Sequence, residues 1–487
     1  MSPTTLRSGA LLAPVLAACC ACAGGDPEVV DGERPIHVVF FLVDTLRADR
    51  MGLYGHDRST SPFVDELAAK ECVVFESANA PAPWTLPSIV SLMTSTFLPQ
   101  HGVVVDRHAL NENVPTIATR LRELGYSTGS IYHNPYAGPL SGLDRGFDLC
   151  RPSDREVGAE HVREWLARKP SFPFFLYLHN AVPHDPYDPP ARLLEPFANV
   201  SDAEKQIVSD LQKEYRQLTR ANNFRRHGGT APDNSAEQAQ RMADLAARGA
   251  KIAALYDAEI LHADEYVRRV VEELKAAGVW EDTLFVLLSD HGEELGEHGG
   301  WEHDQSLYEE LIHVPLIVHF PDGAHAGERI EAPVSLVDLL PTVLDVIGAE
   351  PSAGCAGRSL LPLLGEGGGE AGPRVTAYRW NQKKLFTPWK ETRGDENLVV
   401  REGSWKAIWN VETDSLELYD LAVDPGETRD LSAQERERSE RLLAFARAKR
   451  DEYLAAGLVH RSEATQEISD EERARLRALG YLSEEEE

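Results

Sequence analysis

Four runs of apolar residues predict strands that are buried on both faces, because the runs show little alternation with polar positions. They are Ile36–Val43, which is apolar apart from His37, Phe172–Leu178, Thr283–Leu288 and Val314–Phe320. β-Branched and aromatic residues dominate these runs. Strands of this kind are typical of a parallel sheet with both faces covered.

Helical patterns lie between the apolar runs. Ser61–Lys70 begins with Ser-Pro, Pro115–Leu124 ends at Gly125, and Ala250–Ala277 is a long amphipathic stretch. Proline at the start of a helix and glycine just after its end are the usual helix boundaries. Strands that alternate with helices predict an α/β fold in which a large, mostly parallel sheet is sandwiched by helices.

The last part of the chain has a different pattern, in which short alternating runs separated by turn residues follow a glycine-rich segment. This pattern predicts a small C-terminal antiparallel sheet subdomain. The predicted organisation is an export signal at 1–18, a tether at 19–35, a main domain at 36–364 with a polar helical insertion at 202–247, a linker at 365–373, the sheet subdomain at 374–435 and a charged helical tail at 436–487.

Composition narrows the class of partner. The chain has 487 residues, of which 42% are hydrophobic and 26% charged, and a formal net charge of −30. These fractions are ordinary for a globular protein. An acidic surface repels nucleic acid and anionic membranes, so we expect neither as a partner. An anionic substrate would therefore need local attraction by a metal ion, a helix N-terminus or basic side chains.

The N-terminus predicts export. Arg7 precedes an apolar stretch from Ala10 to Ala18, which is too short to span a bilayer. The segment Leu16-Ala17-Ala18-Cys19 resembles a bacterial lipobox, which implies a lipidated Cys19, a membrane tether through that lipid and a periplasmic or cell-surface location. An ordinary signal cut after a nearby small residue is the alternative. Three of the six cysteines, Cys19, Cys20 and Cys22, lie in or beside the signal, which leaves Cys72, Cys150 and Cys355. One disulfide bridge among these three is possible, and the sequence does not indicate which pair would form it.

Acidic residues follow two of the predicted strands. Asp44 ends the first, and Asp290 with His291 ends the third. Carboxyl ends of parallel strands meet at one sheet edge, so these side chains are expected to converge. Two buried carboxylates and an imidazole need a compensating cation. We expect one divalent metal ion, for which Zn or Mn suits this mixed ligand set, with Ca or Mg as alternatives.

A hydroxyl group is predicted beside this cluster. Thr85 lies just before Pro87 at the start of the apolar stretch that runs to Ser95. At a helix N-terminus, free backbone N–H groups favour negative charge. A threonine held there beside a metal can ionise and attack an ester. The alternative is a simple helix cap.

Histidines are concentrated near predicted strand ends, and they suggest a pocket that binds an anion and protonates a leaving group. Five of them are candidates, namely His133, His179, His184, His298 and His303.

With these residues in view, the chain resembles the sulfatase family of the alkaline phosphatase superfamily from about Ile36 to Leu431. The motifs that carry the resemblance are VDTLRADRMGLYG at Val43–Gly55, TLPSIVSLMTS at Thr85–Ser95, PQHGV at Pro99–Val103, PHDPY at Pro183–Tyr187, SDHGEELGEHGGW at Ser289–Trp301, VPLIV at Val314–Val318, SLVDLLPTVLDVIG at Ser335–Gly348, GRSLLPLL at Gly357–Leu364 and LYDLAVDPGE at Leu418–Glu427.

The resemblance implies roles for individual residues. Asp44, Asp290 and His291 look like metal ligands, with Thr85 completing the set. His184 and His303 look like groups that contact the ester oxygens or assist the leaving group. The residues expected to support this site are Thr45, which stands where many members have an acidic ligand, together with Arg47, His133, His179 and His298.

Three departures from the family pattern bear on the chemistry. Sulfatases of the usual kind carry Cys or Ser at position 85, which is oxidised to formylglycine, and Thr85 cannot give that aldehyde. Ile89 replaces an arginine, and the segment Tyr132-His133-Asn134 lacks the family lysine. Threonine nucleophiles are typical of relatives that act on phosphorus.

These observations predict an extracytoplasmic, metal-dependent hydrolase of sulfate or phosphate esters, acting on a small-molecule or glycan substrate through a covalent intermediate on Thr85. No formylglycine is expected. The alternatives are a phosphoethanolamine-type phosphotransferase and a catalytically inactive family member that binds an anionic glycan or ligand.

Overall fold

The structure is a computed structural model that describes residues 34–105, 108–226, 233–365, 372–380, 396–456, 462–463, 469–479 and 481. The predicted export signal, Cys19, nearly all of the tether and most of the 365–373 linker lie outside these residues. Across the described part of the chain, no helix combines the length and the apolar character that a membrane span requires.

Strands and helices alternate along most of the chain. The strands are β1 His37–Val43, β2 Val73–Phe75, β3 Ala78–Asn79, β4 His108–Ala109, β5 Ser127–Tyr132, β6 Leu149–Pro152, β7 Phe174–Asn180, β8 Thr283–Leu288, β9 Glu294–Leu295, β10 Trp301–Glu302, β11 Leu316–His319, β12 Arg329–Ile330, β13 Val334–Ser335, β14 Arg374–Trp380, β15 Glu396–Glu402, β16 Trp405–Asn410, β17 Ser415–Asp420 and β18 Ser462–Glu463. The α-helices are α1 Pro62–Glu71, α2 Thr85–Thr94, α3 Leu98–His101, α4 Ile117–Glu123, α5 Ala159–Ala167, α6 Ala191–Leu194, α7 Asp202–Arg226, α8 Ser235–Ala246, α9 Gly249–Ala276, α10 Glu309–Ile312, α11 Leu339–Val346, α12 Arg436–Ala455 and α13 Asp470–Ala478.

The main sheet has the strand order β12-β2-β11-β8-β1-β7-β5-β6. The central strands β8, β1, β7 and β5 run parallel, whereas β11 runs antiparallel to β8 and to β2. The predicted large, mostly parallel sheet is therefore confirmed. The antiparallel direction of β11 is a feature that the apolar run Val314–Phe320 did not reveal, because run composition carries no information on strand direction.

Helices cover both faces of the sheet, as the continuous apolar strands require. Alternate residues of β1 enter two separate cores: Phe40 packs with Ile89 of α2 and Val343 of α11 on one face. Phe41 packs with Leu67 of α1 and Val267 of α9 on the other face. Both faces of β1 are fully buried. This double burial explains why the strand shows no polar alternation.

The C-terminal subdomain is a four-stranded antiparallel sheet in the order β14-β15-β16-β17. Its inner face packs against α12, which buries Leu442, Ala446 and Tyr453 in a third core. This sheet agrees with the predicted one. The helical insertion is also present, as α7 and α8, and residues 227–232 between them lie outside the described residues.

The three cysteines within the described residues, Cys72, Cys150 and Cys355, carry free thiols. Cys72 is buried, and Cys150 and Cys355 are partly buried. Burial raises the pKa of the Cys72 and Cys150 thiols to about 12, so both groups stay protonated at neutral pH. The disulfide left open by the sequence is absent among these three residues.

Candidate active site

The register of the central strands brings three polar side chains to one sheet edge. Leu42 of β1 lies beside Leu288 of β8 and beside His179 of β7. Two residues further along each parallel strand, Asp44 therefore comes next to Asp290. Asp44, His179 and Asp290 each offer a ligand atom, and these atoms all lie within 4.8 Å of one another. All three residues are fully buried.

This cluster lacks the hydrogen bonds that buried polar groups normally have. Both carboxylate oxygens of Asp44, Oδ2 of Asp290 and both ring nitrogens of His179 have no hydrogen-bond partner among the described residues. The Nε2 atom of His291 lies 3.6 Å from Asp44 Oδ1 and 3.6 Å from Asp290 Oδ2. Unpartnered oxygens and imidazole nitrogens that face one another fit a divalent cation.

The charges in the cluster lead to the same assignment. Burial, with repulsion from Asp290, raises the pKa of Asp44 well above its ordinary value. Burial also lowers the pKa of His179 to about 3 and that of His291 to about 4, so both rings are neutral, as metal ligands must be. Asp44, His179, Asp290 and His291 are thus the residues that would hold the ion.

Thr85 stands directly beside this cluster because it is the first residue of α2. Trp84, in extended conformation, occupies the N-cap position. Ser88, three residues further along α2, donates a hydrogen bond of 2.6 Å from its hydroxyl to the Asp290 backbone oxygen. The helix start is therefore fixed against the loop that follows β8. Thr85 Oγ1 lies 3.2 Å from His291 Nε2 and accepts from Asn134 Nδ2 at 3.3 Å.

Two further histidines, His184 and His303, lie next to His291 in the same pocket. His303 has its ring centroid 4.6 Å from that of His291 and 5.3 Å from that of His184. His303 Nδ1 lies 3.0 Å from Glu293 Oε1, and His184 Nδ1 lies 2.7 Å from the Asp185 backbone oxygen. Burial lowers the pKa of His303 and lowers that of His184 to about 3.

An ion-pair network lies behind these histidines. Arg216 of α7 contacts the Asp185 carboxylate and lies 3.1 Å from Glu302 Oε1. Burial alone would raise the pKa of Asp185, but the Arg216 guanidinium and the nearby histidines outweigh it and lower that pKa. The predicted insertion therefore contributes a cation to the wall of the site.

The remaining predicted residues have different surroundings. Arg47 donates to the Glu293 backbone oxygen and to Glu297 Oε1, each at 2.8 Å, so it braces the loop after β8. Thr45 adopts a positive φ of 60°, and its backbone N–H lies 3.4 Å from Asp290 Oδ1. The Thr45 hydroxyl donates a hydrogen bond to the Asp44 backbone oxygen, so it does not take the place of the acidic metal ligand that many family members have at this position.

His133 and His298 contact other parts of the molecule. His133 Nδ1 lies 3.3 Å from the Ser153 backbone oxygen at the sheet edge. His298 contacts the Glu310 carboxylate and stacks on Tyr308 with a centroid distance of 3.8 Å. Its other ring nitrogen lies 3.4 Å from the Glu427 backbone oxygen, so His298 joins the main domain to the C-terminal subdomain.

Sequence reasoning missed Asn134, Arg216 and Tyr481 as members of the site. In the sequence, Asn134 was noted only as part of the segment Tyr132-His133-Asn134, which lacks the family lysine, and it was given no role of its own. Arg216 lies in the middle of a charged helix, where nothing in the sequence distinguishes it. Tyr481 approaches Thr85 from the far end of the chain, with 2.9 Å between its hydroxyl and Thr85 Oγ1. The tail at 436–487 also contains Phe445 and Tyr453, so nothing in the sequence distinguished Tyr481.

The fold and the site together define an α/β enzyme with a candidate metal cluster beside a helix-borne hydroxyl. Comparison with known proteins agrees with this class. The sulfatase family model matches residues 36–349, and a model described as N-sulphoglucosamine sulphohydrolase, C-terminal, matches residues 296–444. The chain belongs to the sulfatase family of the alkaline phosphatase superfamily, and it is a hydrolase of the class that acts on sulfate esters.

Several characterised proteins are similar over most of the chain. An N-acetylglucosamine-6-O-sulfatase from Bacteroides thetaiotaomicron is 26% identical, and the alignment covers 86% of this chain and 86% of the relative. An arylsulfatase from Clostridium perfringens is 23% identical, with 81% and 90% covered. The family is metal-dependent, in accord with the cluster of Asp44, His179 and Asp290.

Solved structures share the fold. A protein in complex with its substrate, D-glucosamine-2-N,6-O-disulfate, superposes with a TM-score of 0.66 at 22% identity, covering 89% of this chain and all of that chain (100%). A phosphonate monoester hydrolase from Agrobacterium radiobacter superposes with a TM-score of 0.64 at 20% identity, covering 90% and 99%.

Proposed function

We propose that this protein hydrolyses a sulfate or phosphate ester of a small molecule or glycan through a covalent intermediate on Thr85. The observation that carries the proposal is the position of Thr85 Oγ1, which lies 3.2 Å from His291 Nε2 and beside the cluster whose Asp44 oxygens and Asp290 Oδ2 lack hydrogen-bond partners. A threonine that served only as a helix cap would not need neighbouring carboxylates and imidazoles. The substrate class is supported by a relative that is a sulfatase of N-acetylglucosamine and by one bound to a glucosamine disulfate.

The metal-binding cluster would let the site attract an anionic ester although the protein as a whole is acidic. A divalent cation held by Asp44, His179, Asp290 and His291 would supply positive charge that attracts the ester and favours the ionised Thr85 hydroxyl. Thr85 itself lies at the positive end of the α2 dipole, which acts in the same direction. Asn134 Nδ2, 3.3 Å from Thr85 Oγ1, orients the nucleophile.

The reaction then has two displacements. Thr85 Oγ1 attacks phosphorus or sulfur as the alkoxide, and the bond to the alcohol oxygen breaks. A histidine that becomes protonated when the negatively charged ester binds beside it, against the effect of burial, gives that oxygen its proton. A water molecule next attacks the same phosphorus or sulfur, and the now neutral histidine takes the water proton. Thr85 Oγ1 leaves as the alkoxide, which restores the starting state.

His303 is the better of the two candidate proton donors. Its Nδ1 atom lies 3.0 Å from Glu293 Oε1, whose negative charge would stabilise the charged ring. Its Nε2 atom lies 3.4 Å from the Tyr481 hydroxyl, which in turn lies 2.9 Å from Thr85 Oγ1. His184 Nδ1 lies 2.7 Å from the Asp185 backbone oxygen and 3.4 Å from Asp185 Oδ1, but Arg216 already neutralises that carboxylate. We therefore assign proton transfer to His303 and ester-oxygen binding to His184.

Phosphorus is favoured slightly over sulfur on chemical grounds. Thr85 cannot form the formylglycine whose hydrate releases sulfate by elimination, whereas a phosphothreonine is released by ordinary hydrolysis. The similarity of the fold to a phosphonate monoester hydrolase is compatible with this choice.

The test is a rate comparison on aryl sulfate, phosphate monoester, phosphodiester and phosphonate substrates. Thr85→Ala should lower kcat/KM on the preferred substrate by on the order of a thousandfold or more, because no nucleophile remains. Thr85→Ser keeps the hydroxyl and serves as the matched control, with activity well above that of Thr85→Ala. Equal turnover by wild type and Thr85→Ala would remove Thr85 from the mechanism.

An inactive, ligand-binding family member is the second candidate, because the family arginine and lysine are absent and the Thr85 side chain is fully buried. Metal analysis separates the two: the enzyme requires about one divalent ion per chain, which an inert binder does not.

We also propose a lipid tether on Cys19 and an extracytoplasmic location, supported by the lipobox-like segment. Membrane association that survives Cys19→Ser would contradict this tether.

A further inference from the structure

The reacting hydroxyl of this enzyme is covered by a residue from the end of its own chain. Tyr481 follows α13, and its hydroxyl oxygen lies 2.9 Å from Thr85 Oγ1 and 3.4 Å from His303 Nε2. These two atoms are the ones to which the proposed reaction assigns nucleophilic attack and proton donation. The Tyr481 oxygen thus stands between them, in the space that an ester needs between the attacking hydroxyl and the proton donor.

The Tyr481 ring fills an aromatic recess next to the threonine. Its centroid lies 5.1 Å from that of Tyr136 in an edge-to-face arrangement and 6.4 Å from that of Trp84. The His184 and His303 rings lie 6.3 Å and 6.2 Å away. A recess of four rings around a phenol fits the aryl or sugar ring of an alcohol.

A small element holds Tyr481 in this place. The Tyr481 backbone N–H donates to the Leu476 backbone oxygen at 2.7 Å, which closes the turn after α13. Leu476 and Leu479 are buried, while Asp470 and Glu471 at the start of the helix are exposed. The helix therefore packs on the rest of the protein through this short apolar edge, and its first turn faces solvent.

We propose that Tyr481 occupies the leaving-group subsite as an internal ligand, and that α13 with Tyr481 forms a cover which an ester must displace to reach Thr85. The inference rests on the proposed roles of Thr85 and His303. It assigns the recess of Trp84, Tyr136, His184 and His303 to the alcohol side of the substrate, and it predicts a preference for esters of ring-bearing alcohols or phenols. The cover explains why Thr85 is fully buried in an enzyme whose nucleophile must meet a substrate.

The experiment compares wild type with Tyr481→Ala on p-nitrophenyl phosphate and p-nitrophenyl sulfate, and it measures inorganic phosphate binding by calorimetry. Removal of the ring should lower KM for the reactive ester by about five- to fiftyfold and tighten phosphate binding by a similar factor, with kcat unchanged or raised. Tyr481→Phe keeps the ring and loses both hydroxyl contacts, so it should fall between the two proteins.

Glu471→Ala is the control within the same helix, because its side chain is exposed and contacts Arg475 rather than the site. It should match wild type in KM and in phosphate binding. Thermal unfolding of each variant verifies that the proteins compared are folded, and Tyr481→Phe supplies a test with minimal change in packing.

Two results would overturn the inference. Equal phosphate affinity, including undetectable binding, in wild type and Tyr481→Ala would show that no competing internal ligand exists. A tenfold or larger fall in kcat at unchanged KM would make Tyr481 a participant in the chemistry. If no ester is turned over and Tyr481→Ala still binds phosphate more tightly, the proposed function fails while the cover remains.

Discussion

At the scale of single residues, the site depends on buried polar atoms that lack partners. Asp44, His179 and Asp290 present such atoms to one another across less than 4.8 Å. An arrangement of this kind is unfavourable in isolation, because burial disfavours the charged carboxylate and Asp290 repels Asp44. A bound cation turns the same geometry into a stabilising interaction, and metal binding should accordingly raise the stability of the fold.

The first prediction concerns His179. Replacement by alanine removes one ring from the cluster and should weaken divalent-metal affinity at least ten- to a hundredfold, on the order of losses seen when metal-supporting residues are removed. The measurement is metal content after dialysis, together with the melting temperature with and without added metal. His133→Ala is the matched control at the neighbouring strand end. Full metal retention by His179→Ala would exclude His179 from the cluster.

The sequence predicted the two carboxylates of this cluster, but it gave His179 a lesser role than its position in the structure indicates. Asp44 and Asp290 were predicted from the ends of apolar runs, and parallel pairing does place them together. His179 was assigned only a supporting part because the sequence does not give the β1–β7 register that aligns it with Leu42. Tyr481 was missed because a contact over 396 positions leaves no local pattern.

At the scale of secondary-structure elements, α3 helps to hold α2, the helix that carries the proposed nucleophile, in position. His101 of α3 is buried, and its Nδ1 atom accepts from the Val103 backbone N–H at 3.0 Å. Its Nε2 atom therefore carries the proton and donates to Ser91 Oγ of α2 at 2.9 Å. Protonation of Nδ1 would break the Val103 contact, so the folded state favours the neutral ring.

This arrangement predicts a pH dependence of stability. Burial lowers the pKa of His101 from 6.5 to about 3. As pH falls through this window the unfolded chain binds a proton that the folded protein does not, so the free energy of unfolding decreases by up to about 1.4 kcal/mol per pH unit. His101→Gln should show a shallower decrease in urea denaturation between pH 7 and about 4. Parallel curves for both proteins would contradict this account.

Element boundaries were predictable where packing and local chemistry agree. The strand Thr283–Leu288 was predicted with its observed ends, and α9 differs from its predicted range by one residue at each end. The direction of β11 and the entry of Arg216 into the site depend on tertiary pairing. Neither follows from the period of the apolar positions.

At the scale of the whole molecule, buried charges connect the main domain to the C-terminal sheet. Lys406 of β16 is fully buried, and its ammonium lies 2.8 Å from Glu309 Oε1 of α10 and 2.7 Å from Glu427 Oε1. His298, just after the site loop, also reaches the Glu427 backbone oxygen at 3.4 Å. The subdomain thereby supports the loop that carries His303.

Lys406→Met should therefore destabilise the protein strongly. Removal of the ammonium leaves the carboxylates of Glu309 and Glu427 without their main partner, and breaking a buried ion pair costs about 3–5 kcal/mol. The exposed pair of Lys449 and Glu452 provides a control, since Lys449→Met should cost less than about 1 kcal/mol. Denaturant unfolding compares the two. Similar losses in both variants would mean that Lys406 is not a buried link.

The most direct test of the central claim is mass spectrometry of enzyme quenched with acid during turnover of p-nitrophenyl phosphate or p-nitrophenyl sulfate. The account predicts one phosphoryl or sulfuryl group on the peptide that contains Thr85, absent from Thr85→Ala and from enzyme without substrate. Turnover that proceeds with an unmodified Thr85 peptide, or with the group on another residue, would contradict it.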